Sequence, residues 1–229
     1  MKAFLPCRAG SQRVKSKNTR PFAGNENGLL GLKLDQLIRC DEVDEIIVST
    51  NDSEVIRIAE SVKSSKISID CRPDYLCDNK ATTDSLIGYV ANLFSNEHIL
   101  WTHVTCPFFD SKCYTKAISD YTLGLENKTH DSLMGVKRIQ TFLWDRNGAL
   151  YDRSELKWPF TQSIDPIFEV DSTVFLIHSD LVSRYLDRVG KEPLLFENSS
   201  ICSVDIDYPD DFEFAELLLT AMYSGSRYK

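Results

Sequence analysis

The chain has 229 residues, with 26 Lys and Arg against 34 Asp and Glu, which gives a formal net charge of −8. This acidic balance argues against a general attraction to nucleic acid or to an anionic membrane surface. The length suits one α/β domain, and no run approaches the ~20 apolar residues of a membrane span. We therefore expect a single domain over residues 1–229 that binds neither nucleic acid nor membranes.

Seven cysteines are scattered along the chain without a C-x-x-C pair or a histidine cluster. An odd number without such spacing predicts free, buried thiols in a reducing compartment. The N-terminus has basic residues but no uninterrupted apolar stretch typical of a secretory signal peptide. The location we expect is the cytoplasm.

Short β-rich runs alternate with helical patterns in the first half of the chain. KAFLPC precedes LLGLKLDQLIRC, EIIVST precedes SEVIRIAESVKSS, and ILWTHVTC precedes SKCYTKAISDYTL. This order predicts βαβ units and a mainly parallel, Rossmann-like sheet with helices on both faces. The near-continuous apolar character of EIIVST is typical of a strand that is covered on both faces. The predicted fold class is α/β.

The alternation stops after about His130. DSLMGVKRIQTFLW, GALYD and EVDSTVFLIH have strand patterns with irregular chain between them, which predicts a small antiparallel insertion over about 130–177. Its large apolar residues indicate packing against either a satellite core or a second subunit. These residues are Trp144, Tyr151, Trp158, Pro159, Phe160 and Phe168. Beyond the insertion, SDLVSRYLDRVG is predicted as a helix, and SVDIDYPDDFEFAELLLTAMYS as a strand, a turn and a final helix.

The loop after the first predicted strand, RAGSQRVKSKN, is basic and has no acidic residue. In open α/β sheets, ligands bind at the carboxyl ends of strands. Gly10 can adopt a positive φ and expose backbone N–H groups, and Ser11 adds a hydroxyl donor. The cations are Arg8, Arg13, Lys15 and Lys17. Without a G-K-[ST] ending or further glycines, the loop is neither a Walker loop nor a dinucleotide fingerprint. It predicts a polyphosphate cradle, with a solvated basic loop as the alternative.

Asp205 and Asp207 are two residues apart in SVDIDYPDD, on a segment that is predicted as a strand. Alternate residues of a strand share a face, so the two carboxylates would point to the same side. Neighbouring carboxylates repel each other unless a cation lies between them, and oxygen ligands suit Mg²⁺. The pair predicts a Mg²⁺ site, with a solvated edge strand as the alternative. Nucleotidyl transfer needs both a phosphate loop and a metal site.

At these motifs the sequence resembles the acylneuraminate cytidylyltransferases, also called CMP-sialic acid synthetases. The resemblance runs through LPCRAGSQRVKSKN, IIVSTNDSEVIRIA, RPDYLCDNKATTDSLI, THVTCPF and VDIDYPDDFEFAE, over nearly the whole chain. It implies a fold of the nucleotide-diphospho-sugar transferase type. It also implies transfer of CMP from CTP to a nonulosonic, sialic-type acid with release of pyrophosphate. A further implication is a homodimer in which the insertion brings a residue of one subunit near the sugar site of the other.

The resemblance implies roles for individual residues. Those expected to bind the nucleotide are Arg8, Ala9, Gly10, Ser11, Arg13, Lys17, Asn18, Arg72, Ala81 and Thr83. Those expected to bind the sugar acid are His103, Thr105 and Phe175. Arg8, Lys17, Asp205 and Asp207 would be catalytic, and both aspartates would hold the metal. His103 is also a candidate general base because imidazole titrates near neutrality, although a structural histidine is the commoner case.

The sugar side departs from the family pattern more than the nucleotide side does. The departures are His103 for Gln, Leu143 or Trp144 for Lys, Asp171-Ser172-Thr173 for Asn-Gly-Ala, Arg188 and Val189 for an aromatic pair, and Gln12 for a second loop cation. Three alternatives therefore stay open: an eight-carbon 3-deoxy-manno-octulosonate acceptor, a non-catalytic nucleotide-binding relative, and a domain of this fold with another small-molecule partner. The K-S-K-N loop ending and the D-I-D pair favour the nonulosonate branch over the eight-carbon one.

Overall fold

Strands and helices alternate through most of the computed structural model, which describes residues 1–78 and 80–225. In chain order the elements are β1 (Lys2–Pro6), α1 (Gly28–Ile38), β2 (Glu45–Thr50), α2 (Ser53–Ser61), β3 (Ile67–Cys71), α3 (Thr83–Leu93), β4 (His98–Trp101), α4 (Ser111–Glu126), β5 (Ser132–Ile139), β6 (Trp144–Asp145), β7 (Gly148–Ala149), β8 (Ile167–His178), α5 (Ser179–Tyr185), β9 (Pro193–Glu197) and α6 (Pro209–Gly225). Two 3₁₀ helices cover Asp74–Leu76 and Thr161–Ser163.

Seven strands form one sheet in the order β3-β2-β1-β4-β8-β5-β9. The first four of these are mutually parallel, β8 is antiparallel to both of its neighbours, and β9 is parallel to β5. The predicted α/β class with a mainly parallel sheet is confirmed. The strand order changes direction between β1 and β4, and such a switch point is where open α/β sheets leave a crevice for ligands.

The strands of the expected antiparallel insertion have two different locations. β5 and β8 lie inside the main sheet, where Leu133 is paired with Leu176 and Met134 with Phe175. Their apolar residues are buried on both faces, which explains why they join the sheet rather than a separate flap. Only the chain between them leaves the sheet, with the short antiparallel pair of β6 and β7. The segment outside the sheet is therefore shorter than 130–177.

The core lies on both faces of the sheet. Alternation along β1 sends Leu5 into one cluster, with α1 and α4, and Phe4 into the other, where it packs edge-on against Trp101. Each large apolar side chain buried in this way contributes roughly 1.5–3 kcal/mol. The seven cysteines are free thiols, and four of them are buried. Cys113 and Cys202 are partly exposed and Cys71 is exposed, so the prediction of buried thiols is wrong for Cys71 and only partly met by the other two.

The segment Ser203–Asp207 is not a strand, although its sequence pattern predicts one. Instead of a strand ladder it has two bonds to different parts of the chain. Ile206 N–H donates to the Thr105 carbonyl at 2.9 Å, and Lys17 Nζ donates to the Ile206 carbonyl at 2.7 Å. Ile206 is fully buried between two more accessible aspartates, so alternation is retained without a neighbouring strand.

No helix of the described residues combines the length and the apolar character needed to cross a membrane.

Candidate active site

A cleft of about 440 Å³ opens at the carboxyl ends of β1 and β4, beside the switch point of the sheet. Three separate parts of the chain line it. They contribute Pro6, Arg8, Ser11, Gln12, Arg13, Val14, Lys17, Asn18, His103, Val104, Thr105 and Asp207. The structure thus brings most of the predicted phosphate loop, two predicted sugar-side residues and one predicted metal ligand to one site.

The loop after β1 forms the first wall of the cleft, and we call residues 8–18 the basic loop. Gly10 has φ +78°, and a Cβ there would meet no atom within 4 Å, so the backbone conformation rather than space favours glycine. Ala9 N–H donates to Asn51 Oδ1 at 3.1 Å, and Val14 is buried as an apolar anchor. Arg8 Nη1 donates to the Cys77 carbonyl at 3.1 Å. The positive φ predicted for Gly10 is confirmed.

Asp207 joins the basic loop to the opposite side of the cleft. Its Oδ1 lies 3.0 Å from Arg13 Nη2 and 3.7 Å from Lys17 Nζ. The Arg13 guanidinium also lies 4.8 Å from the centroid of the Tyr208 ring. Burial lowers the pKa of Lys17, while the charges of Asp207 and Asp205 oppose that shift. Two cations of the loop are therefore held in the cleft by a carboxylate of the same chain.

Asp205 is the more buried of the two aspartates and has an unusual environment. Its Oδ1 is inaccessible to solvent and has no hydrogen-bond partner among the described residues. Burial raises the pKa of its carboxyl group; the neighbouring side chains of Thr105 and Ser172 oppose the shift, and the charge of Asp207 adds to it. A buried carboxylate oxygen without a donor is costly. A cation bound beside the Asp205 carboxylate would offset this cost.

The donor set fits a hard divalent ion that keeps several ligands from elsewhere. Residues 1–78 and 80–225 contain no group of three or more His, Cys, Asp or Glu side chains that could hold a metal. Two carboxylates are available, one of them with an unpartnered buried oxygen. Mg²⁺ is commonly bound by one or two carboxylates together with water and substrate phosphates.

The second wall follows β4 and is held in place from behind; we call residues 102–109 the strand-end segment. Lys33 on α1 is fully buried, and its Nζ donates to the carbonyls of Cys106 and Phe109, each at 2.9 Å, and to Tyr114 Oη at 3.0 Å. Gln36, one turn further along α1, donates to the Pro107 carbonyl at 2.7 Å. These bonds fix the backbone that carries the side chains of the second wall.

His103 projects from this segment into the cleft as a neutral side chain. Trp101 Nε1 donates to His103 Nε2 at 3.2 Å, so Nε2 is an acceptor and the proton of the neutral ring is on Nδ1. Burial, followed by the positive charges of Arg188, Lys17, Arg72 and Lys33, lowers the pKa of His103 to about 3. The ring can therefore donate a hydrogen bond through Nδ1, and it is a poor proton acceptor.

Comparison with known proteins agrees with this geometry. A profile of the family described as cytidylyltransferase matches residues 3–227. The chain belongs to this cytidylyltransferase family. The predicted family is confirmed, and the activity that follows from it is cytidylyl transfer from CTP.

Curated relatives cover almost the same length. The pseudaminic acid cytidylyltransferase of Campylobacter jejuni subsp. jejuni serotype O:2 is 21% identical over 238 residues, which are 94% of each chain. The CMP-N,N'-diacetyllegionaminic acid synthase of Legionella pneumophila subsp. pneumophila is 24% identical over 234 residues, 95% of each chain.

Solved structures share the fold at lower identity. A CMP:2-keto-3-deoxy-manno-octonic acid synthetase complexed with CTP has a TM-score of 0.67 and 14% identity, over 96% of this chain and 98% of that one. The 4-diphosphocytidyl-2C-methyl-D-erythritol synthase of Anaerococcus prevotii has a TM-score of 0.66 and 16% identity, over 95% of each chain. These similarities confirm the fold of this cytidylyltransferase.

Seven of the predicted site residues do not line the cleft: Ala9, Gly10, Arg72, Ala81, Thr83, Phe175 and Asp205. Ala9 and Gly10 belong to the basic loop, and Asp205 lies two residues before Asp207. Arg72 is buried, and its guanidinium donates to the Ser49 hydroxyl at 3.0 Å and to the Ser49 carbonyl at 2.6 Å. Ala81 and Thr83 lie at the start of α3, and neither lines the cleft. Phe175 is only 1% exposed on β8, beneath the guanidinium of Arg188. A ligand in the cleft of this single chain would not contact the Phe175 ring.

Two residues near the cleft of this cytidylyltransferase escape the sequence patterns. Lys33 is an isolated charge in the apolar run LLGLKLDQL. A single charge on the apolar face of a predicted helix is the sequence feature that indicates a special role for this residue. In the sequence, Arg188 is visible only as a departure from an aromatic pair. Neither has a neighbour in the sequence that would indicate its partners.

Proposed function

We propose that this cytidylyltransferase transfers CMP from CTP to the anomeric hydroxyl of a nonulosonic, sialic-type acid and releases pyrophosphate. The observation that carries the proposal is one cleft, at a switch point of the sheet, in which cations of the basic loop face Asp207, with the buried Asp205 two residues away. The names of the two curated relatives, which act on pseudaminic and legionaminic acids, support a nine-carbon acceptor. The seven free thiols and the use of CTP fit the cytoplasm.

In this proposal the basic loop holds the triphosphate. Arg8, Lys17 and Arg13 offer charge, and Ser11 and Asn18 offer polar groups on the same wall. Arg13 would exchange its bond with Asp207 for a phosphate oxygen, which also releases Asp207. Preorganised cations aimed at the pyrophosphate stabilise the charge that develops as it leaves. Ala9 and Gly10 shape the loop. Arg72, which follows β3, donates to the Ser49 carbonyl of β2, which also accepts from Cys7 N–H just before the loop. Ala81 and Thr83 would frame the nucleoside from the start of α3.

Asp205 and Asp207 are the proposed ligands of Mg²⁺. The unpartnered Oδ1 of Asp205 and the repulsion between the carboxylates support this assignment. A bound Mg²⁺ would offset negative charge on the α-phosphate of CTP. Thr105 and His103 would orient the acceptor, His103 as a donor through Nδ1, so that its anomeric hydroxyl meets the α-phosphorus in line with the leaving pyrophosphate.

We also propose that the chain forms a homodimer through the segment between β5 and β8. Phe142, Tyr151 and Trp158 pack against one another there in tilted and edge-on contacts, and the Phe142 centroid lies 5.1 Å from each of the other two rings. Trp144, Trp158 and Phe160 are nevertheless 55%, 63% and 81% exposed. Exposed aromatic clusters are typical anchors of interfaces, and a stable dimer would bury roughly 2,000 Å² or more.

The deciding experiment is a pyrophosphate-release screen. Each nucleoside triphosphate is paired with pseudaminic, legionaminic and neuraminic acids and with the eight-carbon 3-deoxy-manno-octulosonic acid. We expect release only with CTP and one or more nine-carbon acids. Preference for the eight-carbon acid would mean that the acceptor is an octulosonate rather than a nonulosonate. Binding of CTP without pyrophosphate release would indicate a non-catalytic relative. Equal use of all nucleotides would reject the proposed function.

A further inference from the structure

Arg188 lies in the connection from α5 to β9, against the aromatic residues below the strand-end segment. Leu186 ends α5 in the left-handed conformation, with φ +50°, and turns the chain toward the sheet. The Arg188 guanidinium carbon then lies 3.9 Å from the centroid of the Phe175 ring and 5.6 Å from that of Trp101. The side chain is partly exposed. It is therefore a cation on an aromatic platform with access to solvent.

This guanidinium has no hydrogen bond or ion pair with any residue that the structure describes. Burial lowers the pKa of Arg188, and the charge of Asp187 opposes the shift. The Asp187 carboxylate accepts a bond from Val189 N–H and forms no ion pair with Arg188 within the described chain. Because partial burial of a guanidinium carries a desolvation cost, its N–H groups are donors available to an acceptor on a ligand.

Other cations near the cleft are already engaged. Four cations act electrostatically on His103, in decreasing order Arg188, Lys17, Arg72 and Lys33. Lys17 donates to the Ile206 carbonyl, Arg72 to Ser49, and Lys33 to two carbonyls and a hydroxyl. Among these four charges Arg188 has the largest effect on the pKa of His103, a residue that lines the cleft, and it is the one of the four without a hydrogen-bond or ion-pair partner among the described residues.

The geometry favours a planar anion. When a ring covers one face of a guanidinium, the N–H groups point outward in its plane, which suits the two oxygens of a carboxylate. The acceptors named in the proposed function are sugar acids, and the loop cations are on the other side of the cleft with the triphosphate. We propose that Arg188 binds the carboxylate of the acceptor, with Phe175 and Trp101 as its platform. This inference rests on the proposed function.

The test compares Arg188→Met and Arg188→Lys with the wild type, using the nine-carbon acid that gives pyrophosphate release. Arg188→Met should raise the KM for the acid on the order of 10–100-fold, because a charged, bidentate contact is lost. The KM for CTP should stay within about twofold, and Arg188→Lys should be intermediate. The matched control is Arg184→Met, an exposed arginine in the last turn of α5.

A second substrate separates binding from packing. The carboxamide of the same acid removes the charge of the acceptor, so wild type should use it poorly, and Arg188→Met should lose little more with it. Equal losses for acid and amide would assign Arg188 a packing role and overturn the inference. An unchanged KM of Arg188→Met for the acid would also overturn the inference. So would weaker inhibition of this variant by pyrophosphate, because Arg188 would then contact phosphate rather than the acceptor.

Folding and function are controlled separately. Melting temperatures report whether each variant folds. If Arg188→Met does not fold, the test uses Arg188→Lys and the ratio of its KM for the acid to its KM for the amide. A ratio equal to that of the wild type would reject the inference. If the wild type releases no pyrophosphate with any nonulosonic acid, the proposed function itself fails. If it does, and the variants match the Arg184→Met control, only the role of Arg188 fails.

Discussion

The two walls of the cleft are built in different ways. The basic loop is accessible to solvent along most of its length, and two of its four cations, Arg13 and Lys17, pair with Asp207 at the surface of the cleft. The strand-end segment is mostly buried, and its carbonyls are bonded to Lys33 and Gln36 on α1. One wall can exchange its ion pairs for those of a ligand, whereas the other keeps a fixed shape. Under the proposed function, charge would select the nucleotide and fixed geometry would orient the acceptor.

The largest expected effect comes from Asp205, whose side chain interacts with Thr105 of the strand-end segment. Asp205→Asn should lower kcat on the order of 10²–10³-fold, because it removes one of the two proposed Mg²⁺ ligands. Its melting temperature should stay the same or rise, since the carboxylate that it replaces is buried with an unpartnered oxygen and a raised pKa. Steady-state rates over a Mg²⁺ titration, with melting curves, measure both effects.

Asp210→Asn is the control for this variant. Asp210 is an exposed acid in the first turn of α6, close in sequence to the pair. Wild-type turnover and Mg²⁺ dependence in Asp205→Asn would reject the metal assignment.

The exchangeable wall is tested by Lys17→Met. Lys17 is 15% exposed and points at the carbonyl of Ile206 and at Asp207. Its loss should lower kcat/KM for CTP by roughly 10–100-fold, because a charge-assisted contact with phosphate disappears. Lys63→Met, on an exposed lysine away from the cleft, should have wild-type kinetics. If both variants had the same kinetics, the basic loop would be an ordinary solvated surface and not a phosphate-binding loop.

The fixed wall is tested by Lys33→Met, which leaves two buried carbonyls without their donor. We expect a loss of about 1–3 kcal/mol in the free energy of unfolding at pH 7.5. Burial lowers the pKa of Lys33 to about 8. Because the unfolded chain keeps this proton up to about pH 10.4 and the folded chain loses it near 8, the wild type gains stability as pH rises through that window.

Urea unfolding at pH 7.5, 9 and 10 measures this gain as a widening gap between wild type and Lys33→Met. Lys116→Met, on an exposed lysine of α4, serves as the control. A constant gap would show that Lys33 keeps its proton throughout.

The contrast between the walls also explains what the sequence can predict. The basic loop is contiguous, so its cations and Gly10 could be identified from eleven residues. The determinants of the other wall come from α1 and from the connection after α5, and only the folded chain brings Lys33 and Arg188 to it. Strand patterns placed β5 and β8 as strands but not in the main sheet, because periodicity does not specify which neighbour a strand pairs with.

Trp158→Glu tests whether a second subunit contributes to the acceptor side of the cleft. A charge on an exposed anchor should halve the mass measured by light scattering at micromolar concentration and raise the KM for the acceptor, with CTP binding nearly unchanged. Leu123→Glu, on an exposed apolar residue of α4, should keep the wild-type mass. A wild-type mass near 26 kDa would reject the dimer, and a dimer that survives Trp158→Glu would reject this residue as its anchor.

The smallest effect is expected from His103→Gln. A glutamine amide can accept from Trp101 N–H through its oxygen and donate into the cleft through its nitrogen, as the neutral imidazole does. Turnover should stay within a few-fold of wild type, with the same pH dependence between pH 6 and 8, whereas loss of a general base typically costs 10²–10⁴-fold.

The pH dependence of the free energy of unfolding tests the protonation of His103 independently of turnover. The folded pKa of His103 is about 3, below the usual value near 6.5, so between these values the unfolded chain binds a proton that the folded chain does not. The wild type should therefore lose stability as pH falls from 6.5, by up to about 2 kcal/mol at pH 5 relative to His103→Gln. Unfolding curves at pH 7.5 and 5 compare the two proteins. A large, pH-dependent loss of turnover in His103→Gln, together with parallel stability curves, would instead make His103 the proton acceptor and the fixed wall a chemical participant.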